Sequence, residues 1–125
     1  MEECIFCNYN PEEIIAENKL AFAIMDKFPV NEGHALIIPK RHFPFFFEAT
    51  EEEIKAIYSL MHEVKEMLDI QYEPSGYNVG VNLGYYAGQT IKHLHVHLIP
   101  RYKGDVENPK GGVRNIKRAL VEYDG

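Results

Sequence analysis

Three histidines, His93, His95 and His97, stand at alternate positions in the last third of the chain, shortly before Pro100. A period of two between polar and apolar residues is typical of a β-strand with one apolar face. We expect a strand over residues 91–98 that stops before Pro100, because proline cannot donate a hydrogen bond to a central ladder. Side chains on one face of a strand are spaced by ~6.6 Å. The pattern therefore predicts a row of imidazoles that can contact one ligand together.

The chemistry of such a row has more than one interpretation. Imidazole acts as nucleophile, acid, base or metal ligand near neutral pH. A single zinc ion held by all three side chains is disfavoured, because a flat strand cannot bring three successive same-face residues to Zn–N distances of about 2.0–2.1 Å. A solvated strand face without a function is also disfavoured, since only six histidines occur in the whole chain. Two interpretations remain: a catalytic row, and a row whose histidines are divided between the substrate and a metal ion.

The rest of the sequence predicts mostly strands and one long helix, which indicates the α+β class with a mostly antiparallel sheet. The helix is expected over residues 50–69, where Thr50 and Glu53 form a capping box and apolar residues recur at helical spacing. An Asn-Pro pair predicts a short N-terminal helix over residues 10–15. Buried strands are expected over residues 20–25, 34–39 and 77–82, the last of them beside the histidine strand.

Size and charge exclude several classes of protein. A chain of 125 residues is expected to form one domain. Its net charge of −6 argues against general nucleic-acid binding, which requires a basic surface. Without a long apolar run, and with an acidic start at residues 1–3, the sequence predicts neither a membrane span nor a signal peptide. Two cysteines in such a chain favour the reducing cytoplasm.

The sequence His-Leu-His-Val-His-Leu-Ile-Pro-Arg over residues 93–101, preceded by Gly-Gln-Thr, resembles the histidine-triad (HIT) family of nucleotide hydrolases and transferases. It is most similar to the branch that cleaves dinucleoside polyphosphates. The likeness extends over residues 4–103. It implies a HIT-like fold with a five-stranded sheet, as a single domain over residues 1–125 in which residues 103–125 form a C-terminal loop and tail. It also implies a homodimer that joins two sheets.

A second group of residues indicates a metal site. Cys4 and Cys7 are spaced so that both can bind one zinc ion, but two ligands do not complete a tetrahedron. His42 and His93 are the candidates for the missing pair, and some HIT proteins resemble this arrangement. A closed site with four ligands would be structural. Three alternatives stay open: a redox-active cysteine pair, two buried thiols, and a solvated His42.

The resemblance also implies a set of nucleotide-binding residues. Asp26, at the end of a strand, is expected to bind the ribose, since a carboxylate accepts hydrogen bonds from two hydroxyls; a residue that only starts a turn is the alternative. His34 would lie near the α-phosphate, with a buried, hydrogen-bonded histidine nearly as well supported. Neutral donors for the phosphates or the 5′ oxygen are expected from the loop before the triad, namely from Asn82, Gly88, Gln89 and Thr90.

The mechanism that the resemblance implies is nucleotidyl transfer to water. His95 would attack the α-phosphorus and form a nucleotidyl-histidine intermediate, which water then resolves. A backbone carbonyl is expected to hold the second ring nitrogen of His95 and fix its tautomer. His97 would donate to the α-phosphate or the leaving group. His93 is either a zinc ligand or an orienting partner of the catalytic pair, and no catalytic metal is required.

Two alternatives to a hydrolase remain. One is a nucleotide-binding regulatory module with little turnover, which an intact triad disfavours. The other is a phosphorylase, in which phosphate takes the place of water. Diadenosine polyphosphates, adenosine phosphoramidates and acyl-adenylates share an adenylyl group with a leaving group on the α-phosphorus, so the sequence predicts a small-molecule nucleotide substrate without naming it.

Overall fold

A computed structural model describes residues 4–117 of the chain. It contains one antiparallel sheet of five strands and one long helix, which confirms the predicted α+β class. The strands and the helix are β1 (Ile14–Glu17), β2 (Ala21–Met25), β3 (Ala35–Pro39), α1 (Glu51–Tyr72), β4 (Gly76–Gly80) and β5 (Val96–Arg101). In the sheet they are ordered β1-β2-β3-β5-β4. The acidic residues at the start of the sequence, 1–3, and the last part of the predicted tail, 118–125, lie outside the described residues.

Helix α1 covers one face of the sheet. Its buried side chains, Ile57, Leu60, Val64 and Leu68, pack against residues of β2 and β3 that point to the same side. Thr50 Oγ1 accepts from the backbone N–H of the third helical residue, whose side chain accepts from the N–H of Thr50, so the predicted capping box is confirmed. The helix continues three residues further than predicted, to Tyr72, before the chain turns.

The opposite face of the sheet carries a smaller apolar cluster. Phe22 and Ile24 of β2 and Leu36 and Ile38 of β3 pack there with Phe6 of the N-terminal segment. These residues alternate along each strand with the residues that face α1, as the pleat of a strand requires. The N-terminal segment therefore covers apolar residues on this face of the sheet, as α1 does on the other face, and the cluster that it covers is the smaller of the two.

The histidine segment differs from its prediction at both ends. Strand β5 begins at Val96, so His93 and His95 precede the ladder. The Leu94 N–H donates to the carbonyl of Phe43, at 2.7 Å, instead of to a strand of the sheet. Only His97 of the three histidines is a ladder residue, opposite Leu36 of β3. The predicted strand over residues 91–98 therefore starts too early, although the three rings still follow one another: Phe6 contacts the rings of both His93 and His95, and the His95 and His97 rings are 5.3 Å apart.

Pro100 lies inside β5, which the sequence analysis did not expect. Pairing between β5 and β3 ends where Leu98 stands opposite Ala35, while pairing with β4 continues to Arg101. Pro100 therefore has a ladder partner, Tyr77, on one side only. A proline is tolerated there, as on an edge strand, because one side of the strand has no ladder hydrogen bond that the missing N–H would break.

The N-terminal segment is shorter in helix than predicted. Pro11–Glu13 forms a single 3₁₀ turn, and Asn10 Oδ1 caps it by accepting from the Glu12 N–H at 3.0 Å. The next two residues, Ile14 and Ile15, belong to β1 instead: Ile14 pairs with Ile24 of β2, and Ile15 lies where the register between the two strands shifts. Among residues 4–117, no helix combines the length and the apolar character that a membrane-spanning segment requires.

One ion pair joins the end of β3 to the start of α1. The Arg41 guanidinium donates from Nε and Nη2 to the two carboxylate oxygens of Glu53, at 2.9 and 2.8 Å. Glu53 is buried and also belongs to the capping box. The bonds from Arg41, helped by those from Thr50, lower the pKa of the Glu53 carboxyl from 4.5 to about 2. This pair fixes the segment that carries His42.

We predict that Glu53→Gln lowers the free energy of unfolding by about 1–3 kcal/mol at pH 7, the usual value of hydrogen bonds to a charged group. Glutamine keeps the capping box, so the loss reports the pair with Arg41. Because the folded-state pKa is depressed, the contribution of Glu53 is present above pH 4.5 and is lost as the pH falls through about 2. Urea unfolding of both proteins between pH 7 and pH 2 measures it. The exposed Glu63→Gln serves as control, and equal stability of wild type and Glu53→Gln at pH 7 would contradict the prediction.

Candidate functional site

A cavity of about 740 Å³ opens on the sheet face opposite α1, within the size range of nucleotide and cofactor pockets. Apolar and aromatic residues form part of its lining, namely Ile5, Phe6, Tyr9, Ile24, Phe28, Val30, Leu36 and Ile91. Its lining also includes the predicted site residues Asp26, His34, Asn82, Gly88, Thr90, His95 and His97. The structure therefore brings most of the predicted catalytic and nucleotide-binding residues to one cavity. Gln89, His93 and the predicted metal ligands do not line it.

His95 is held by the backbone just before β5. Its Nδ1 lies 2.8 Å from the carbonyl oxygen of His93, and only 7% of the residue is exposed. A carbonyl only accepts, so Nδ1 carries the proton and Nε2 keeps its lone pair. The contact with a backbone carbonyl that the sequence analysis expected is present. His95 is therefore presented in the tautomer in which Nε2 can act as a nucleophile.

His97 and His34 form a hydrogen-bonded pair across β5 and β3. The Val30 N–H donates to His34 Nδ1 at 3.0 Å, which requires that nitrogen to be unprotonated in the neutral ring. The proton of His34 is therefore on Nε2, which lies 2.9 Å from His97 Nδ1. His97 Nδ1 must accept this bond, so the proton of neutral His97 is on Nε2. The ring of His97 thus offers a donor where that of His95 offers a lone pair.

Burial keeps both rings neutral at pH 7. The pKa of His97 is lowered from 6.5 to about 4, first by burial and then by the neighbouring rings of His95 and His34, while the Asp26 carboxylate opposes the shift. Burial likewise lowers the pKa of His34, again against Asp26. A neutral imidazole has one N–H, so each ring can still donate one hydrogen bond.

Asp26 starts a turn, which is the alternative role that the sequence analysis gave it, and it also lies at the cavity. One carboxylate oxygen accepts from the Phe28 N–H at 2.8 Å and so starts the turn after β2. The other lies 3.4 Å from His34 Nε2, and the residue lines the cavity. The turn therefore fixes the carboxylate and leaves its second oxygen facing the cavity side of the sheet.

The loop before the triad uses most of its polar groups to hold its own shape. The Gln89 side chain accepts from the Gly84 N–H at 2.8 Å and donates to the carbonyls of Pro44 and Ile91. The Gly88 N–H donates to a carbonyl of the preceding 3₁₀ turn. These groups therefore shape the loop, and phosphate binding by Gly88, which lines the cavity, and by Gln89, which does not, stays a prediction.

Asn82 and Thr90 are the members of the predicted donor set whose placement suits the ligand. Both line the cavity. Gly88 stands beside them with a positive φ of 96°, a backbone conformation that favours glycine. A Cβ built on it would make only an ordinary van der Waals contact with Asn82 Nδ2, at 3.8 Å, so the turn and not the space requires the glycine.

The four predicted metal ligands come together away from the cavity. Cys4 Sγ, Cys7 Sγ, His42 Nδ1 and His93 Nδ1 all lie within 4.8 Å of one another. The measured separations are 3.1 Å between the two ring nitrogens and 3.3–3.6 Å between nitrogen and sulfur. A tetrahedral zinc site would place such ligand atoms about 3.3–3.8 Å apart. This cluster could hold a metal ion.

The hydrogen bonds of the histidines fit this role. His93 Nε2 lies 2.7 Å from the Pro39 carbonyl, so its proton is on Nε2 and its Nδ1 lone pair points to the cluster. Asp26, His34 and His97 also form a compact set of potential ligands. There the Val30 N–H occupies His34 Nδ1, and the proton on Nε2 blocks metal binding. The hydrogen bonds thus favour metal at the cysteine cluster and disfavour it in the cavity.

Sequence reasoning missed the groups that orient the histidines. The Val30 N–H and the carbonyls of Pro39 and His93 are backbone groups, and the residue type at these positions does not indicate that they bind a histidine. It also missed the apolar wall of the cavity formed by Phe6 and Tyr9. Their position in the sequence next to Cys4 and Cys7, two of the predicted metal ligands, is the pattern that could have pointed to them.

Comparison with known proteins assigns the family. The model of the HIT domain matches residues 8–104, which leaves the two cysteines just outside the matched range. An uncharacterized HIT-like protein of Mycoplasma genitalium is 38% identical over 95% of this chain and 87% of its own. A bis(5'-nucleosyl)-tetraphosphatase of Schizosaccharomyces pombe and an AP-4-A phosphorylase of Mycobacterium tuberculosis are each 33% identical over 74% of this chain, which is 51% and 48% of theirs.

Solved structures agree with this assignment. A HIT family protein from Bacillus subtilis is 37% identical, with a TM-score of 0.75 over 83% of this chain and 77% of its own. A zinc-bound histidine triad family protein from Mycobacterium smegmatis is 29% identical, with a TM-score of 0.73 over 82% of this chain and 77% of its own. By its matched domain, its fold and its triad of histidines, this chain belongs to the HIT family of nucleotide-processing proteins.

Proposed function

We propose that this protein is a nucleotide hydrolase that cleaves at the α-phosphate of a dinucleoside polyphosphate or a related adenylyl substrate. The observation that carries the proposal is the 2.8 Å contact between His95 Nδ1 and the carbonyl of His93, in the wall of a cavity of nucleotide size. It leaves Nε2 of a buried, fixed imidazole as the nucleophile. A regulatory module without turnover would have no need of this tautomer.

The reaction would proceed in two displacements. His95 Nε2 attacks the α-phosphorus, an Nε2–P bond forms, and the bond from phosphorus to the leaving oxygen breaks. The His97 Nε2–H donates to the leaving oxygen or to an oxygen of the α-phosphate as charge develops there. A water molecule then attacks the phosphorus, the P–N bond breaks, and a mononucleotide and a proton are released. His34 acts in this scheme through His97.

The remaining polar residues would place the nucleotide. The second carboxylate oxygen of Asp26, which lies near His34 Nε2, suits the ribose hydroxyls, and Asn82 and Thr90 suit the phosphate. The aromatic lining formed by Phe6 and Tyr9 is the expected site of the base, since aromatic faces stack on purines. The small-molecule substrate would thus lie with its base near the N-terminal segment and its α-phosphate beside His95.

The acceptor of the nucleotidyl group is the open part of the proposal. The named relatives with 33% identity include both a tetraphosphatase and a phosphorylase, which support the dinucleoside class and leave both water and phosphate as acceptors. Hydrolysis is our first choice, and phosphorolysis is the second.

We further propose that Cys4, Cys7, His42 and His93 hold a structural zinc ion. The donor set, the separations of its atoms and the bond from His93 Nε2 to Pro39 support zinc, and a solved relative is described as zinc-bound. Four protein ligands leave no open position, so the ion would fix the N-terminal segment to the sheet and take no part in the reaction. The two free cysteines also agree with a cytoplasmic location.

His95→Ala is expected to reduce the rate at least a thousandfold, or ~4 kcal/mol of activation free energy, because it removes the nucleophile. Release of mononucleotide from diadenosine tetraphosphate measures the rate, and circular dichroism checks the fold. Mass spectrometry of rapidly quenched wild-type enzyme is expected to find the nucleotide on His95. The exposed His62→Ala, on the outer face of α1, is the control. More than a few percent of residual rate in His95→Ala would contradict covalent catalysis.

Added phosphate separates the two acceptors in the same assay. Hydrolysis of diadenosine tetraphosphate gives one set of nucleotide products with or without inorganic phosphate. Phosphorolysis requires phosphate and yields a mononucleotide that carries one additional phosphate group. Turnover only in the presence of phosphate would replace the first choice by the second.

For the zinc site, we expect purified protein to contain about one zinc ion per chain without added metal. Cys4→Ser is expected to lower zinc content and thermal stability together, because it removes a ligand of the ion that anchors the N-terminal segment. His97→Ala is the matched control and should lower activity with no change in zinc. Elemental analysis below about one ion per ten chains in the wild type would return Cys4 and Cys7 to the buried-thiol interpretation.

We also expect a homodimer. Strand β4 is an edge of the sheet, and Val79 on it is 47% exposed. Tyr77 of β4 donates to Asp69 on α1, which places the exposed Met67 and Ile70 of the helix near the same edge. An unpaired strand with adjacent apolar surface favours pairing with a second copy. Light scattering at micromolar concentration should give twice the 14.4 kDa of one chain, and Val79→Lys should lower that mass. A wild-type monomer would refute it.

A further inference from the structure

The geometry points to a positioning role for Asn31 and Asp105: they hold the turn between β2 and β3 so that the Val30 N–H sets the proton of His34 and, through it, the proton of His97. This inference rests on the proposed function for its consequence in catalysis. Its structural part concerns only which nitrogen of His97 carries the proton, and can be tested in the free protein.

The turn over residues 26–34 forms part of the cavity wall and ends at His34. Its middle is tied to the far end of β5. Asn31 Nδ2 donates to Asp105 Oδ2 at 2.8 Å and to the Pro100 carbonyl at 3.1 Å. The residue before it, Val30, is the one whose N–H reaches His34 Nδ1. The position of that N–H therefore depends on the anchoring of its neighbour.

Asp105 is itself fixed. Arg101 donates from Nε and Nη2 to the two carboxylate oxygens at 2.8 and 3.0 Å, and the Tyr102 N–H donates to Oδ2 at 3.1 Å. These bonds, those of Arg101 first, hold the pKa of the Asp105 carboxyl well below its usual range. The carboxylate of Asp105, just after the end of β5, is thus charged at neutral pH and anchors the turn that joins β2 to β3.

The proton positions follow from donors and acceptors alone. A backbone N–H can only donate, so His34 Nδ1 accepts, His34 Nε2 donates, and His97 Nδ1 accepts at 2.9 Å. The Asp26 carboxylate, 3.4 Å from His34 Nε2, favours the same proton position. His97 Nε2 is then left with its hydrogen for the substrate.

Without the hydrogen bond from the Val30 N–H, His34 and His97 could adopt the opposite pair of tautomers. His34 could then carry its proton on Nδ1 and accept at Nε2 from a proton on His97 Nδ1. His97 Nε2 would keep a lone pair in place of its hydrogen. The same two rings at the same distance would thus present an acceptor to the leaving oxygen, and proton donation would fail while substrate binding stayed nearly unchanged.

The first test reads the tautomer directly. In the full chain with ¹⁵N-labelled histidine, the nitrogen shifts and couplings of His97 identify which ring nitrogen is protonated. We expect Nε2–H in the wild type and a substantial Nδ1–H population in Asn31→Ala. Asp69→Asn is the matched control, because Asp69 also accepts charge-assisted bonds, from Lys65 and Tyr77, but lies outside the cavity. An unchanged Nε2–H tautomer in folded Asn31→Ala would overturn the inference.

The second test measures catalysis. General acid catalysis contributes about 10²–10⁴ in rate, so a partial loss of the donor tautomer should lower kcat about tenfold in Asn31→Ala with KM within about twofold. If Asn31→Ala fails to fold, Asp105→Asn replaces it in both tests, because it removes the charge and keeps one acceptor for Asn31. Equal kcat in variant and wild type would overturn the role in catalysis. A shifted tautomer in a protein whose wild type turns over no nucleotide would instead uphold the positioning and refute the proposed function.

Discussion

The hydrogen bond from His93 Nε2 to the Pro39 carbonyl, at 2.7 Å, is the contact on which the two sites of this protein depend. It joins the end of β3 to the segment before β5 and turns the Nδ1 lone pair of His93 toward the cysteines. The same placement directs the backbone carbonyl of His93 to His95 Nδ1. One buried residue therefore serves the metal cluster with its ring and the proposed nucleophile with its backbone.

Backbone atoms fix the tautomers of three histidines by the same physical rule. Carbonyls accept from His93 and His95, and an N–H donates to His34, so each ring has one nitrogen assigned by a group that cannot change its role. His97 then takes its tautomer from His34. Burial lowers the pKa of His34, His93 and His97, so that the rings stay neutral and the assignments hold at pH 7.

Local features of the sequence were predicted well where the local physics is strong. The capping box at Thr50 and the helical spacing of apolar residues located α1 to within a few residues, and the Cys-x-x-Cys pair with two histidines named the four residues that form a cluster able to hold a metal ion. The prediction failed where tertiary contacts decide. The alternating segment before Val96 is not a strand, because Leu94 bonds to Phe43 and the ring of His93 is drawn to Pro39. Gln89 has the donors of a phosphate ligand but uses them to close its own loop.

The sequence by itself determined the class of fold, the family resemblance and most of the polar residues that line the cavity, because residue type and spacing carry that information. Only the tertiary structure decided the direction in which each histidine acts. Whether an imidazole nitrogen is a nucleophile, a donor or a metal ligand depends on which group faces the other nitrogen of the ring. In this chain those groups are backbone atoms of residues up to 54 positions away, as for His93 and Pro39. Such backbone groups are the same in every residue, so only the path of the chain in space places them.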